Sequence, residues 1–365
     1  MRSMTARRVN AALTAARWIV GATFVLSGFV KSVDPVGTSI FVDEYLATYS
    51  LLWLKPFSLA MAVALGAAEL SVGVMLCSRT GVRIASVLAM IALVIFTVVT
   101  LLSATLLPIG DCGCFGEALS LSPWGTFAKN AVLLPMAFWV WRSTRCEPLW
   151  PMSRNRIIAL AATVAVAVGI NLYALRHLPL IDFLPYKVGV DLREEICRER
   201  ESLASAQRTM MMCRNEMTGA VEEFDSADST WWNGWEVIST RTENGASESR
   251  FADFALYSAD GEELSEQVLG YAARQHLLCI ARMERLSPRC QYKIDAFLSR
   301  AESRGERVLC LTTDDLEGEV AIVAGHAVGC CNVDAMVLRS MLRAEAGVVT
   351  LDDGVIVDKR SWRDM

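Results

Sequence analysis

Histidine is scarce. His177, His276 and His326 are the only three in 365 residues, and none stands at a zinc-ligand spacing from a cysteine pair. Structural zinc sites need closely paired Cys and His ligands, so none is expected here. The chain also has no Lys/Arg-rich tract with interleaved aromatics, which removes nucleic acid from the expected partners. No cofactor-binding motif is present. The apolar segments show neither an internal repeat nor a pair of interrupted helices, which argues against a solute carrier. What the chain has in excess is apolar surface: 53% of residues are hydrophobic, and the mean hydropathy is +0.35. That excess ends near residue 176, beyond which charged residues are frequent. A membrane part followed by a water-facing part is expected.

Five segments are apolar and near the roughly 20 residues a spanning helix needs. They are Ala11–Val30, Pro56–Cys77, Val82–Leu107, Pro123–Trp141 and Ile157–Tyr173. The first follows Arg7 and Arg8 and lacks a small-residue cleavage site, so it reads as a retained anchor. Arg2, Arg7 and Arg8, then Arg79 and Arg83, then Arg142, Arg145, Arg154 and Arg156 flank one set of helix ends. Only Lys31 and Lys55 flank the other set. The positive-inside rule puts the N-terminus in the cytoplasm and everything after Tyr173 outside. In a bacterium that is the periplasm, where disulfides persist. Of eleven cysteines, only Cys77 and Cys146 would face the cytoplasm.

The loop between the third and fourth segments reads Asp111-Cys112-Gly113-Cys114-Phe115-Gly116. A bridge between residues i and i+2 closes a small, strained ring of the readily reduced kind, so Cys112 and Cys114 are the candidate catalytic residues for thiol–disulfide exchange. Lys129, early in the fourth segment, lies on the same side and is a candidate for favouring a thiolate there. Arg17 and Glu69 are charges inside apolar segments, which are costly and usually functional. Counted from the helix ends, both lie at about 10 Å depth, from a rise of 1.5 Å per residue, and they are expected to pair.

These residues carry a resemblance. Arg17-Trp18, Ser27-Gly28-Phe29-Val30-Lys31, Asp34-Pro35 and Glu69-Leu70-Ser71-Val72-Gly73, followed by the cysteine loop, resemble the MauE/DoxX group over about residues 10–145. The resemblance implies a small four-helix, redox-associated membrane domain. MauE itself is tied to methylamine utilisation, in disulfide formation or maturation of a dehydrogenase subunit. The layout also looks like that of quinone-linked disulfide generators, an analogy of fold that does not transfer a quinone site.

Beyond the membrane, residues 187–270 read as β-rich, with a hairpin over Thr209–Phe224 and strands at Trp235–Thr240 and Asp253–Ser258. Cys197 and Cys213 are candidates for a structural disulfide, whose connectivity the sequence leaves open. The last hundred residues alternate strand and helix: Leu277–Met283, Pro288–Arg304, Arg307–Thr313, a helix over Asp314–His326, Val328–Asn332, Asp334–Ala344, and a hairpin of Val348–Leu351 and Val355–Asp358. That order resembles the thioredoxin fold of TlpA- and peroxiredoxin-like domains. Where such a domain has Cys-x-x-Cys, this chain has Ser287-Pro288-Arg289-Cys290, and Ala346-Gly347-Val348 replaces the facing proline. A degenerate, non-catalytic domain is the main expectation. An activity through Cys290, or through Cys330-Cys331, is the other.

The expected fold is thus an all-α membrane four-helix bundle over 1–145, a fifth transmembrane helix with its cytoplasmic loop over 146–176, a β-rich segment over 177–270 and an α/β thioredoxin-like domain over 271–365. The expected function is thiol–disulfide redox, or envelope protein maturation, in the inner membrane. Partners would be lipid and a periplasmic thiol or client protein, with electrons passing to another thiol protein or to a membrane quinone. The competing reading is a non-catalytic scaffold whose outer domain only binds.

Overall fold

The computed structural model describes residues 2–105, 113–118, 121–147, 153–215, 217, 218, 220–225, 235–244, 251, 253–316 and 318–365. Asp111 and Cys112 of the cysteine loop lie outside the described residues. The chain forms two compact units, Met1–Leu184 and Pro185–Arg363.

The first unit is helical: α1 (Arg2–Val33), α2 (Pro35–Thr48), α3 (Ser58–Ser78), α4 (Val82–Thr105), α5 (Pro123–Ser143) and α6 (Arg154–Arg176). Among the described residues, four stretches are long and apolar enough to cross a membrane: Val9–Val33, Leu52–Ser78, Val82–Thr105 and Arg154–Arg176. The expected span over Pro123–Trp141 is not among them. Its helix, α5, has the length at 21 residues but carries Lys129, Asn130 and Pro135. It nonetheless runs antiparallel along α4. Leu133, Ala137 and Val140 join a buried core with Val82, Ala85, Ala89 and Leu93 of α4, Ala16, Val20 and Phe24 of α1, and Val72, Met75 and Leu76 of α3. Thr144, just past α5, lies 3.3 Å from Ser86 near the start of α4.

α1 and α3 touch through glycine. A Cβ on Gly28 would meet the carbonyl oxygen of Gly66 at 2.8 Å and run into the Leu70 backbone, and one on Gly73 would sit 2.5 Å from the Val25 nitrogen. This close approach fixes the register of the two helices, with Gly28 beside Leu70 and Gly21 beside Leu76 and Cys77. α2 lies between the first two apolar segments, where the sequence reading assigned no element. Asp34 caps it, accepting from the Gly37 N–H at 2.8 Å, and Pro35 takes the first turn, where its missing N–H costs nothing.

The second unit is rich in strands. α7 (Leu192–Ala206) leads into a three-stranded antiparallel sheet of β1 (Gln207–Asn215), β2 (Val221–Asp225) and β3 (Trp235–Asn244), in the order β2-β1-β3. The hairpin expected over Thr209–Phe224 is β1 and β2. The helix α7 departs from the β-rich expectation. Asp191 caps it through the Glu194 N–H, and Glu194 and Glu195 each pair with Arg198 on its surface.

The larger sheet is built from β4 (Leu256–Tyr257), β5 (Gln275–Ile280), β6 (Arg307–Thr312), β7 (Val320–Val323), β8 (His326–Val333), β9 (Ala346–Asp352) and β10 (Val355–Ser361). Its order is β10-β9-β5-β6-β8-β4, with β7 also on β8. β5, β6 and β8 run parallel, while β9 and β10 are antiparallel to their neighbours. Every residue of β5 is buried, as a central strand of a two-faced sheet requires. α8 (Ser265–Leu269) precedes β5, and α10 (Ala335–Met341), capped by Asp334, precedes β9. α9 (Pro288–Ser303) joins β5 to β6 and packs Cys290, Ile294 and Leu298 onto Leu278, Ile280, Cys310 and Cys330.

The helix expected over Asp314–His326 is instead a hairpin. β7 and β8 pair from Val320 with Gly329 to Val323 with His326, turning through Ala324 and Gly325 at φ 49° and 91°. Two positive φ values are the signature of the turn that suits twisted strands. The Asp314 carboxylate does not cap a helix. It accepts from the Met283 N–H at 2.7 Å.

Candidate functional site

The site forms where α1, α3, α5 and the Cys114 segment meet. Gly113 has φ +58°, and a Cβ there would lie 2.7 Å from the Phe41 ring of α2. Both the backbone conformation and the space call for glycine between the two cysteines. The Cys114 carbonyl then accepts twice, from the Ser27 hydroxyl at 2.6 Å and from the Lys31 ammonium at 2.9 Å. Lys31 also donates to Ser27 Oγ at 2.7 Å and to Glu69 Oε2 at 2.8 Å, so all three of its hydrogens are used. Ser27 and Lys31 stand one turn apart on α1. Lys31 is 5% exposed and Glu69 3%. An unpaired charge at such burial would be expensive, and here each ion neutralises the other.

The expected Arg17–Glu69 pair is therefore replaced by Lys31–Glu69. The glycine register explains it. Glu69 adjoins Leu70, which packs on Gly28, so Lys31 lies within one turn. Arg17 lies one turn beyond Gly21, at the opposite end of the contact. It donates instead to the carbonyls of Leu76 and Cys77, the unsatisfied acceptors at the end of α3, where the helix dipole also favours a cation. The Lys31 assignment was missed because it reads as a loop charge next to Asp34-Pro35. Its i, i+4 spacing from Ser27 was the available signal.

Lys129 Nζ sits 4.4 Å from the centre of the Phe115 ring, a cation–π contact that gives the residue after Cys114 a partner on α5. A small cavity of about 30 Å3 lies between Ser27, Lys31, Glu69, Cys114, Lys129 and Asn130. Its size suits about one water beside these polar groups, with Phe24, Leu93, Phe96 and Leu133 completing the wall. Glu69 Oε1 and Asn130 Nδ2 are buried there without a protein partner. A larger cavity of about 310 Å3 lies on the α2 side, and Lys31 and Cys114 line both.

In the second unit the candidate thiols are placed differently. The Ser287 hydroxyl caps α9, accepting from the Cys290 N–H at 3.3 Å. The residue in the attacking position thus does a helix cap's work, and Cys290 is fully buried beneath it. Cys330 and Cys331 are consecutive in β8 and point to opposite faces, so they cannot act as a vicinal pair on one surface. Cys330 instead pairs in register with Cys310 of β6, and the hydrogen bond between these thiols, with burial, pushes Cys310 up. Burial pushes the Cys279 thiol up to about 12, and Cys290 and Cys331 up to about 11. Cys197 and Cys213 are not joined. Cys197 is exposed and Cys213 buried. No group of three or more metal-ligating side chains occurs among the described residues.

Thiols held above the ordinary value of about 8.5 are inert as nucleophiles at neutral pH. At pH 8 an alkylating agent is expected to modify Cys197 and to leave Cys279, Cys290 and Cys331 untouched until the protein is denatured, as read by peptide mass spectrometry. The sign of the linkage is fixed by the same shifts. The unfolded chain releases these thiol protons first, so stability falls as pH rises from about 8.5 towards 11. A denaturation midpoint that stays flat from pH 7 to 10 would contradict the buried placement.

No curated protein and no solved structure matches the chain. Residues 9–143, from the apolar part of α1 to the end of α5, match the family model of the methylamine utilisation protein MauE, and with its apolar helices this region fits a MauE membrane protein.

Proposed function

We propose that this chain is a multi-pass inner-membrane protein of thiol–disulfide redox, serving the maturation of envelope proteins, with Cys112 and Cys114 cycling between dithiol and disulfide at the periplasmic face. The observation that carries the reading is the anchoring of the Cys114 carbonyl by Ser27 and by the buried Lys31–Glu69 pair. A buried ion pair is an expensive way to hold a loop, and sets of this kind mark functional positions in membranes. The chemistry is thiolate attack on a partner disulfide: one S–S bond forms as another breaks, through a mixed disulfide, and the partner leaves as a thiol. Lys129, whose ammonium lies over the Phe115 ring next to Cys114, supplies positive charge near that thiolate.

Topology supports the reading. Arg79, Arg83 and Arg17 share one end of the helices, where Arg79 and Arg83 reach Glu147. The Cys114 segment is at the other end. With Lys31 taken up in its ion pair, Lys55 is the cation left among those first assigned to that side, which sharpens the positive-inside bias. α6 starts near the arginine end, where Leu160 packs against the core that holds Met75. The reading counts α5 as a further crossing, which its antiparallel packing on α4 supports.

For the second unit, the scaffold reading is the one the geometry favours. Ser287 caps a helix and Cys290 is buried, which supports a domain that binds rather than exchanges. A recess of about 350 Å3 there carries Arg274, Arg300, Arg304 and Arg360, against Glu306 and Asp358, and suits an acidic client segment. The family description adds methylamine utilisation as the setting.

Thiol trapping tests the membrane half. Intact cells treated with a membrane-impermeant maleimide, before and after mild reduction, should show a mixed Cys112/Cys114 population that shifts with reductant. A pair that is fully oxidised and resists reductant is a structural bridge and ends the redox reading. Labelling only after permeabilisation would reverse the topology.

A further inference from the structure

The larger cavity of the first unit lies between α2, α3, α4 and the Cys114 segment and encloses about 310 Å3. That is within the range of small-molecule sites, about 300–1,000 Å3. Phe41 and Tyr45 of α2 and Tyr49, the residue that ends it, line the cavity at a spacing of four, and the rings of Tyr45 and Tyr49 are 7° from parallel. Met61, Leu65, Phe96 and Val99 face them from α3 and α4. The walls are otherwise apolar, with a few polar side chains among them. The Tyr49 hydroxyl is buried with no protein partner, leaving a free donor. Thr38 and Thr100 spend their protons on the carbonyls of Asp34 and Phe96, so their oxygens remain acceptors. Lys31 and Cys114 also line the cavity.

We infer that this cavity takes a lipid-soluble quinone, which accepts the electrons of the cysteine pair. The inference rests on the redox reading above and names its oxidant. The step balances. Two S–H bonds break and one S–S bond forms. Two electrons and two protons pass to the ring, and the quinone leaves as hydroquinone. A flat apolar ring matches the α2 stripe. A carbonyl oxygen matches the Tyr49 O–H, and the hydroquinone hydroxyls match the threonine oxygens. A soluble thiol protein as acceptor would need none of these features.

The test uses full-length protein in detergent, reduced and held without oxygen. A short-chain ubiquinone analogue is added, and ultraviolet absorbance reads the quinone while mass-tagging reads the thiols. One hydroquinone should appear per two thiols lost. Tyr49→Phe should raise the quinone KM about fivefold to tenfold through one lost hydrogen bond. Val99→Trp, which fills the cavity, should abolish turnover in protein that still elutes as a folded species. A small soluble disulfide is the control for the underlying reading. If the wild-type thiols exchange with it but give no hydroquinone, or if neither variant changes the quinone kinetics, the quinone site is refuted while redox cycling stands. If the thiols react with neither oxidant, the redox reading itself is lost. If an acyl-chain photoprobe labels Phe41 or Tyr45 and excess quinone does not compete, the cavity is a lipid seat and the proposal fails.

Discussion

Glu69→Ala is expected to destabilise the first unit by about 3–5 kcal/mol, the cost of stranding one partner of a buried ion pair. Lys31 would keep its charge at 5% exposure with only Ser27 and the Cys114 carbonyl as neutral acceptors. Relaxation towards water would pull the ammonium off the carbonyl and loosen the cysteine loop. Two readouts follow: a lower unfolding temperature in detergent, and faster maleimide modification at Cys114. The double change Lys31→Met/Glu69→Met separates the two effects. Removing both charges should restore most of the stability, because nothing ionic is left unpaired. The loop should stay loose, because only Ser27 still holds the Cys114 carbonyl. Arg17→Gln should be much milder than Glu69→Ala, since it removes donors to Leu76 and Cys77 near a helix end and strands no opposite charge. A Glu69→Ala protein within about 1 kcal/mol of wild type would mean that the pair is hydrated, not buried.

How much of this site was legible in the sequence depended on whether a residue's partner was local. The cysteine loop, the intramembrane charge at Glu69 and the apolar helix positions follow from spacing and hydropathy alone. The identity of the Glu69 partner does not. Counting depth from helix ends placed Arg17 and Glu69 level, whereas the glycine contacts of Gly21, Gly28, Gly66 and Gly73 slide the helices to a different register. The cavity was invisible because no helix was assigned to residues 35–48. Asp34-Pro35 followed by Phe41, Tyr45 and Tyr49 at helical spacing was the signal, a cap and one apolar stripe. In the second unit, β5, β6, β9 and β10 were legible as buried or alternating runs. The β7–β8 hairpin was not, because its turn is Ala324-Gly325 rather than an Asn-Gly pair, and Asp314 passes for a helix cap. Cys290 could have been judged inert from sequence: a Ser-Pro opening makes Ser287 a cap and leaves Cys290 the first inward position of an amphipathic helix.

Gly28→Val should be the most damaging single substitution in the first unit. Ordinary overpacking of a core costs about 1–3 kcal/mol because side chains around the new group can shift. At Gly28 the atoms in the way are backbone: the nitrogen and Cα of Leu70 and the Gly66 carbonyl oxygen, the last two at 2.8 Å from a Cβ. Backbone inside a helix cannot move without moving the helix, so α1 and α3 must separate over their length. Separation would lengthen the 2.8 Å Lys31–Glu69 contact and withdraw Ser27 from the Cys114 carbonyl. The substitution should therefore cost more than the overpacking range and also uncouple the cysteine loop. By contrast, Gly169 of α6 has no atom within 4 Å of its would-be Cβ, and Gly169→Ala should be neutral or slightly stabilising through helix propensity. Unfolding of the three proteins in the same detergent, with Cys114 modification rates alongside, compares them directly. Equal stability for Gly28→Val and wild type would show that α1 and α3 are not in glycine contact, and the register that brings Lys31 to Glu69 would fall with it.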